Sequence, residues 1–107
     1  MQTLVDQVVA EAKLAAQKAT EDFLAKHGDR DACGFAWITC YEKGSTKMGK
    51  ALTNAGFSKA YGSGLQMWNP SGSWTQCITA KEVGAQAAAK IVSEKLGVKC
   101  YAGSRMD

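Results

Sequence analysis

CGFAWITCY, residues 33–41, is the stretch of the chain that decides the fold. It shows no helical period, and it is rich in aromatic and β-branched residues, which favour extended backbone. The sequence therefore predicts a buried strand here. Because side chains alternate along a strand, we expect one face to carry Phe35, Trp37, Thr39 and Tyr41 and the other Ala36, Ile38 and Cys40.

Helices are predicted on both sides of this strand. Residues 3–27 carry apolar side chains three or four positions apart, with Thr3 at the start and Gly28 after the end. Residues 47–54 form a short helix candidate capped by Ser45 or Thr46. Residues 79–96 begin with TAKE, the spacing of a capping box between Thr79 and Glu82, and end before Gly97. The expected inward stripe of this last helix is Val83, Ala87, Ile91 and Leu96.

Shorter segments complete the predicted sheet. Residues 57–61 and 65–68 have strand character, and NPSG at 69–72 predicts a turn after which residues 74–78 return antiparallel. Residues 98–103 are a closing strand. Residues 1–107 are thus predicted to form a single α+β domain, in which a mostly antiparallel sheet of about four or five strands packs against two main helices and one short helix. One sheet face is then covered, and the other is open to a partner.

Composition excludes several classes of protein. The chain has 107 residues and four cysteines with no CxxC pair, which favours reduced thiols over a zinc knuckle or a disulfide scaffold. No stretch approaches the roughly 20 apolar residues of a membrane span. We therefore expect a cytoplasmic protein with no membrane partner.

Charge is distributed unevenly along the chain. Residues 1–42 hold four Lys or Arg against seven Asp or Glu, whereas residues 43–81 hold five lysines and no acid. Phe57, Tyr61, Trp68 and Trp74 lie within this basic segment. Lysines interleaved with aromatic residues supply counter-charge for phosphate and flat faces for base stacking.

The basic segment predicts a site for nucleic acid or a nucleotide. The candidate ligand-binding residues are Lys47, Lys50, Lys59, Trp68, Trp74 and Lys81. Arg105 joins them if residue 101 lies in the sheet, because its guanidinium then reaches back over the aromatic face to a phosphate or carboxylate. In an equal alternative, Arg105 pairs with an acidic residue of the first helix. In the competing interpretation, the lysines are a solvated surface and the tryptophans belong to the core.

Gly44–Ala51, GSTKMGKA, matches the GxxxxGK pattern of a phosphate-binding loop. Ala51 stands where the Mg²⁺-binding hydroxyl belongs, so nucleotide hydrolysis is not expected, and simple anion binding at the helix start is the weaker expectation that remains.

Catalytic and metal sites are not predicted. His27 is the one histidine, and its place at a helix end is typical of a cap. His27, Asp29, Asp31 and Cys33 could be drawn as a metal cluster, but their spacing is equally typical of a polar turn. We therefore expect no catalytic residues, no metal and no cofactor.

The sequence resembles two known families. Residues 79–96 resemble the last helix of double-stranded RNA-binding domains, although Lys81 stands alone where that family presents several lysines. DACGFAW at 31–37, STKMGKAL at 45–52, WNPSG at 68–72, AKEVGAQA at 80–87 and the closing YAGSRMD together resemble a family of small uncharacterised proteins encoded by bacteriophages.

The phage resemblance implies a small protein in the cytoplasm of a bacterial host, acting on host or phage machinery. It carries no catalytic or binding role for any residue. The alternative to anion binding is an interaction module that docks on and inhibits a host protein through the exposed sheet face, or that pairs with itself as a homodimer. A small hydrolase is a third, weaker alternative.

Overall fold

The computed structural model describes residues 1–29, 32–60 and 62–107. Within these ranges the chain forms three helices and four strands, in the order α1 (Gln2–His27), β1 (Gly34–Cys40), α2 (Lys47–Asn54), β2 (Ser58–Lys59), β3 (Leu65–Trp68), α3 (Ile78–Leu96) and β4 (Cys100–Met106). All neighbouring strands are antiparallel, in the sheet order β2-β3-β1-β4. The α+β class, with two main helices and one short helix, is confirmed.

The first helix has the predicted end but starts one residue earlier. Its N-cap is Met1 rather than Thr3, and its C-cap is Gly28, whose φ of 76° is a conformation that glycine adopts readily. The buried stripe recurs every three or four residues and consists of Val5, Val8, Val9, Ala12, Ala16 and Thr20.

The last helix begins one residue before the predicted position. The cap is Cys77, whose Sγ accepts a hydrogen bond from the Ala80 N–H at 3.5 Å, so the predicted capping box of Thr79 and Glu82 is wrong. The inward stripe is also corrected, because most of the buried residues are smaller than the expected Val83, Ile91 and Leu96. The buried residues of this helix are Ile78, Ala80, Gly84, Ala85, Ala88, Ala89 and Val92. The left-handed end at Gly97 is confirmed.

Small side chains explain this choice of face, because they let α1 and α3 approach closely. A Cβ at Gly84 would overlap the Thr20 hydroxyl and would lie 3.0 Å from the Ala16 carbonyl oxygen. The buried Thr20 hydroxyl donates a hydrogen bond to the Ala80 carbonyl at 2.7 Å. Larger residues of α3, such as Ile91, fit only at the edge of this contact, where they are partly buried.

The sheet packs against the helices through one face of β1. Ala36, Ile38 and Cys40 of that face are almost fully buried. Short side chains at two of these three positions bring the strand close to the helix layer. The short helix α2 has its predicted bounds, and the Thr46 hydroxyl caps it by accepting a hydrogen bond from the Gly49 N–H at 2.9 Å.

The predicted hairpin after residue 72 is wrong. The turn itself is present, because the Gly72 N–H donates to the Asn69 carbonyl at 2.9 Å. Beyond it, the hydroxyls of Ser71, Ser73 and Thr75 each accept a hydrogen bond from the backbone N–H two residues later. These local bonds occupy N–H groups that a strand would direct to a neighbour, so residues 73–76 lie outside the sheet.

The remaining strands differ from expectation in length. The closing strand β4 runs from Cys100 to Met106 and so extends beyond the predicted 98–103. β2 covers only Ser58 and Lys59 of the predicted 57–61. Phe57 is buried in the core, and Tyr61 is outside the described residues. No helix of the described residues is long and apolar enough to cross a membrane.

The α1–α3 contact yields a testable consequence. Gly84→Val places a branched side chain against α1, and we expect it to lower the free energy of unfolding by about 1–3 kcal/mol, measured by urea denaturation. The control is Gln86→Val, which introduces the same side chain at an exposed position of the same helix. A change within about 0.5 kcal/mol is expected for the control. Valine has a higher helix propensity than glycine, so only the contact with α1 can make Gly84→Val the more damaging change. Equal losses in both variants would therefore contradict close packing at Gly84.

Candidate functional site

The sheet face opposite the helices is exposed and aromatic. We define the open face as the outward residues of three adjacent strands: Phe35, Trp37, Thr39 and the following Tyr41 from β1, Gln66 and Trp68 from β3, and Tyr101, Gly103 and Arg105 from β4. The register places them together, because Trp37 is opposite Trp68 on one side and Gly103 on the other. Solvent reaches 46% of Trp68 and 58% of Tyr101.

The rings of the open face form two groups. In the first, the Trp37 and Trp68 ring centroids lie 4.7 Å apart, and the Phe35 ring meets Trp68 edge-on at 6.2 Å. In the second group, the ring centroids of Tyr41 and Tyr101 lie 5.8 Å apart. Contacts of this kind hold aromatic side chains in place. The open face therefore presents several supported rings to solvent.

A glycine in β4 makes room for the central ring. A Cβ at Gly103 would lie 2.7 Å from Nε1 of Trp37 and 2.8 Å from its Cε2. The Trp37 indole therefore lies across the backbone of β4, directly over Gly103. A strand glycine is typical of such a close approach, and this one explains why Trp37 is half-buried although no helix covers it.

Two cations flank Phe35 at one end of the open face. The Arg105 Cζ lies 5.9 Å from the centroid of the Phe35 ring, and the Lys81 Nζ lies 5.6 Å from it. Lys81 also donates a hydrogen bond to the Gly34 carbonyl at 2.9 Å, which orients its ammonium group. Arg105 thus lies over the aromatic face, where the sequence predicted it.

A shallow concavity of about 490 Å³ lies on the open face between Trp37 and Arg105. The residues lining it are Trp37, Thr39, Tyr41, Ala60, Gly62, Ser63, Gln66, Trp68 and Arg105. These include one cation, several hydrogen-bonding groups and no carboxylate. Chemically, this lining suits a flat ring system that carries negative charge nearby.

The predicted ligand-binding residues are only partly brought together. Trp68, Arg105 and Lys81 gather around Phe35, and Trp74 lines a second concavity that also includes Phe35 and Lys81. Trp74 is 98% exposed. Neither predicted tryptophan is therefore a core residue.

Three predicted lysines lie apart from the aromatic residues. Lys47 and Lys50 belong to α2 and line a concavity with Met1 and Gln2, whereas Lys59 lines another with Glu42 and Lys43. The expectation of one shared lysine surface is not met. Charge density along the sequence does not report which side of a helix or strand a lysine occupies.

The phosphate-loop pattern at residues 44–51 has a packing role. A Cβ at Gly49 would overlap the carbonyl oxygen of Lys43, so glycine is needed there for the chain to fold back on itself. The Gly49 N–H is already bonded to Thr46, and the Lys50 N–H to the Thr46 carbonyl. Two of the groups that would receive an anion are thus occupied.

The polar turn near His27 shows no metal-binding arrangement in the described part of the chain, where no three His, Cys, Asp or Glu side chains gather as a cluster. Asp29 accepts a hydrogen bond from the Thr75 hydroxyl at 2.5 Å, and the His27 ring packs against Phe23. Asp31 lies outside the described residues.

The site predicted from the sequence lacks four aromatic residues of the open face: Phe35, Trp37, Tyr41 and Tyr101. The alternation of residues 33–41 placed three of them on one side of β1, but it did not say which side faces the helices. The signal was side-chain volume, because a close-packed helix layer favours Ala36 and Cys40 on its side and leaves the large rings outside.

No protein-family model, curated protein or solved structure matches the chain.

The support of Trp37 by Gly103 is testable. In a Trp74→Phe background, Gly103→Ala is expected to push the Trp37 ring away from β4 and so increase its contact with water. The measurement is quenching of tryptophan fluorescence by acrylamide, which should become stronger, together with a shift of emission to longer wavelength. Ser104→Ala, on the opposite face of β4, is the control and should change neither. Unchanged quenching in Gly103→Ala would contradict the described ring position.

Proposed function

We propose that the protein binds single-stranded nucleic acid on its open face, without turnover. Bases stack on the exposed rings, and Arg105 and Lys81 contact phosphates. The observation that carries this proposal is the Trp37–Trp68–Phe35 group, in which the Trp68 and Phe35 rings are exposed and two cations flank Phe35. Aromatic platforms combined with basic side chains are the common means of binding single strands.

Ring geometry supports stacking over a purely ionic contact. Trp37 and Trp68 are inclined to each other by 38°, so the two rings do not form a parallel sandwich. Sheets whose exposed rings stack two or three bases are used in RNA recognition. Gln66 and Thr39 lie within the same concavity, where they can hydrogen-bond to base edges.

The second concavity extends the proposed path beyond Phe35. Phe35 and Lys81 line it together with Trp74 and one acidic residue, Asp107. The Trp74 side chain is almost completely exposed, so it contributes little to packing. A strand that stacks on Trp37 and Trp68 can therefore pass Arg105 and Lys81 and reach Trp74. Large exposed apolar side chains of this kind mark interaction sites.

Paired nucleic acid fits this surface less well, because the bases of a duplex are stacked on one another and present only their edges. Residues 79–96 resemble a helix of double-stranded RNA-binding domains, so the experiment includes duplex RNA as a competing ligand. Binding of phage or host nucleic acid accords with the bacteriophage setting that the sequence motifs imply, which stays a prediction.

The experiment is a titration of an oligouridylate of about ten nucleotides, followed by tryptophan fluorescence at several salt concentrations. Trp68→Ala is expected to weaken binding about tenfold, because one stacked base contributes about 1–3 kcal/mol. Arg105→Gln is expected to weaken binding and to reduce the slope of log K against log salt by about 0.7, the value for one phosphate of a single strand.

Lys50→Gln is the matched control, since it removes one cation from α2, away from the rings. Its affinity and salt slope should remain close to those of the parent protein. No binding at low salt, tighter binding of duplex RNA of the same length, or an equal loss in Lys50→Gln would each refute the proposal. Retention of a bacterial protein partner that is indifferent to salt and nuclease would favour the host-docking alternative instead.

A further inference from the structure

The four cysteines lie opposite one another in two pairs. Cys40 of β1 is the register partner of Cys100 of β4. Cys33, just before β1, is the bridge partner of Cys77, just before α3. All four are free thiols in this structure. The sequence spacing did not indicate the pairing, because each pair is formed by segments far apart along the chain.

Both pairs occupy non-hydrogen-bonded positions of an antiparallel ladder, where the two Cα atoms lie closer together than at hydrogen-bonded positions. Around Cys33 and Cys77, the ladder bonds run from the Gly34 N–H to the Gln76 carbonyl at 3.2 Å and from the Ile78 N–H to the Ala32 carbonyl at 2.8 Å. These bonds flank the cysteine pair, which is therefore a non-hydrogen-bonded pair. At such sites the Cα atoms lie about 4.5 Å apart, within the range of about 4.4–6.8 Å that a disulfide spans.

The second pair has the same backbone geometry. The Tyr41 N–H donates to the Lys99 carbonyl at 2.8 Å, so residues 41 and 99 form a hydrogen-bonded pair. Because the two kinds of site alternate along an antiparallel ladder, the preceding pair of Cys40 and Cys100 is non-hydrogen-bonded. Backbone geometry alone would therefore permit a disulfide in either place.

Access and charge distinguish the two pairs. Cys33 is exposed and lines the concavity that contains Phe35 and Lys81, while its partner Cys77 is buried directly beside it. Cys40 and Cys100 are buried under the helix layer, with 0% and 5% of their surface exposed. A hydrogen bond with Cys100 raises the pKa of the Cys40 thiol, and burial raises this pKa further. The thiolate that disulfide exchange needs is therefore disfavoured at Cys40.

We propose that Cys33 and Cys77 are a dithiol–disulfide couple that reacts with small disulfides such as oxidised glutathione, while Cys40 and Cys100 remain thiols. The Cys33 thiolate attacks one sulfur of the small disulfide, which forms a mixed disulfide and releases one small thiol. The Cys77 thiolate then attacks the Cys33 sulfur and releases the second. The protein loses two protons and two electrons, and the small disulfide gains them.

This couple stands apart from nucleic-acid binding, because it rests on backbone register and accessibility and not on the rings. Its location nevertheless has a structural effect. The new bond would tie the start of β1 to the start of α3, the two segments that hold Phe35 and Lys81 in contact. A disulfide between Cys33 and Cys77 also closes the chain between these residues into a loop. This restricts the unfolded chain and so stabilises the native state.

The test treats the folded protein with oxidised glutathione, blocks remaining thiols in denaturant, and maps the disulfides by peptide mass spectrometry. We expect one intramolecular bond between Cys33 and Cys77, with Cys40 and Cys100 recovered as blocked thiols. The oxidised protein should melt at a higher temperature than the reduced protein. The pair of Cys40 and Cys100 is an internal control of matched backbone geometry.

Two single variants resolve the order of the steps. Cys77→Ser keeps a good helix cap and should accumulate a lasting glutathione adduct on Cys33, because the second thiol is missing. Cys33→Ser should acquire neither adduct nor disulfide, because Cys77 is buried. A bond between Cys40 and Cys100, a bond between two chains, a stable adduct on Cys33 of the parent protein, or no reaction would each overturn the proposal.

Discussion

The close contact of α1 with α3 is the constraint on which the other features depend. Gly84 of α3 lies against Thr20 and the backbone of Ala16, with no room for a side chain between the helices. The paired helices form a dense layer that covers one side of β1, where Ala36 and Cys40 are small enough to meet it. Two helices on one side leave the other side of a four-stranded sheet open to solvent.

Because the helix layer requires small residues, the large rings of the central strand are placed outside. Phe35 and Trp37 alternate with Ala36 along β1, and the neighbouring strands contribute Trp68 and Gly103 to the same side. The rings then support one another, and Gly103 lets the Trp37 indole lie against β4. What remains is an aromatic surface on which the rings of Phe35, Trp68 and Tyr101 are exposed to solvent.

Cations reach this surface from two separate parts of the chain. Arg105 comes from the last strand and Lys81 from the first turn of α3, and both lie near Phe35. Lys81 is anchored on the Gly34 carbonyl, so its position is set by the junction between β1 and α3. The same junction contains the bridge between Cys33 and Cys77. One region of the molecule therefore joins the start of the sheet, the start of a helix and the basic end of the open face.

Much of the fold could be predicted from local patterns, since these depend on neighbours along the chain. Strand alternation identified the two faces of β1, and glycines marked the ends of two helices. The stripe of α3 could not be predicted from side-chain hydrophobicity, because the approach of α1 selects Gly84 and Ala88 over the larger Val83 and Ile91. The strand expected at 74–78 failed because hydroxyls at alternate positions bind their own backbone. Lys47 and Lys50 of α2 belong to the site predicted from the sequence, but the fold places them on another surface.

Backbone and indole NMR resonances, recorded while a short single-stranded oligonucleotide is added, test the role of the open face most directly. We expect the indole N–H signals of Trp37 and Trp68 and the amides of β1 and β4 to shift together and reach saturation, while the amides of α2 stay in place. Shifts centred on α2 and its lysines, or no shift of either indole at saturating oligonucleotide, would contradict binding at the open face.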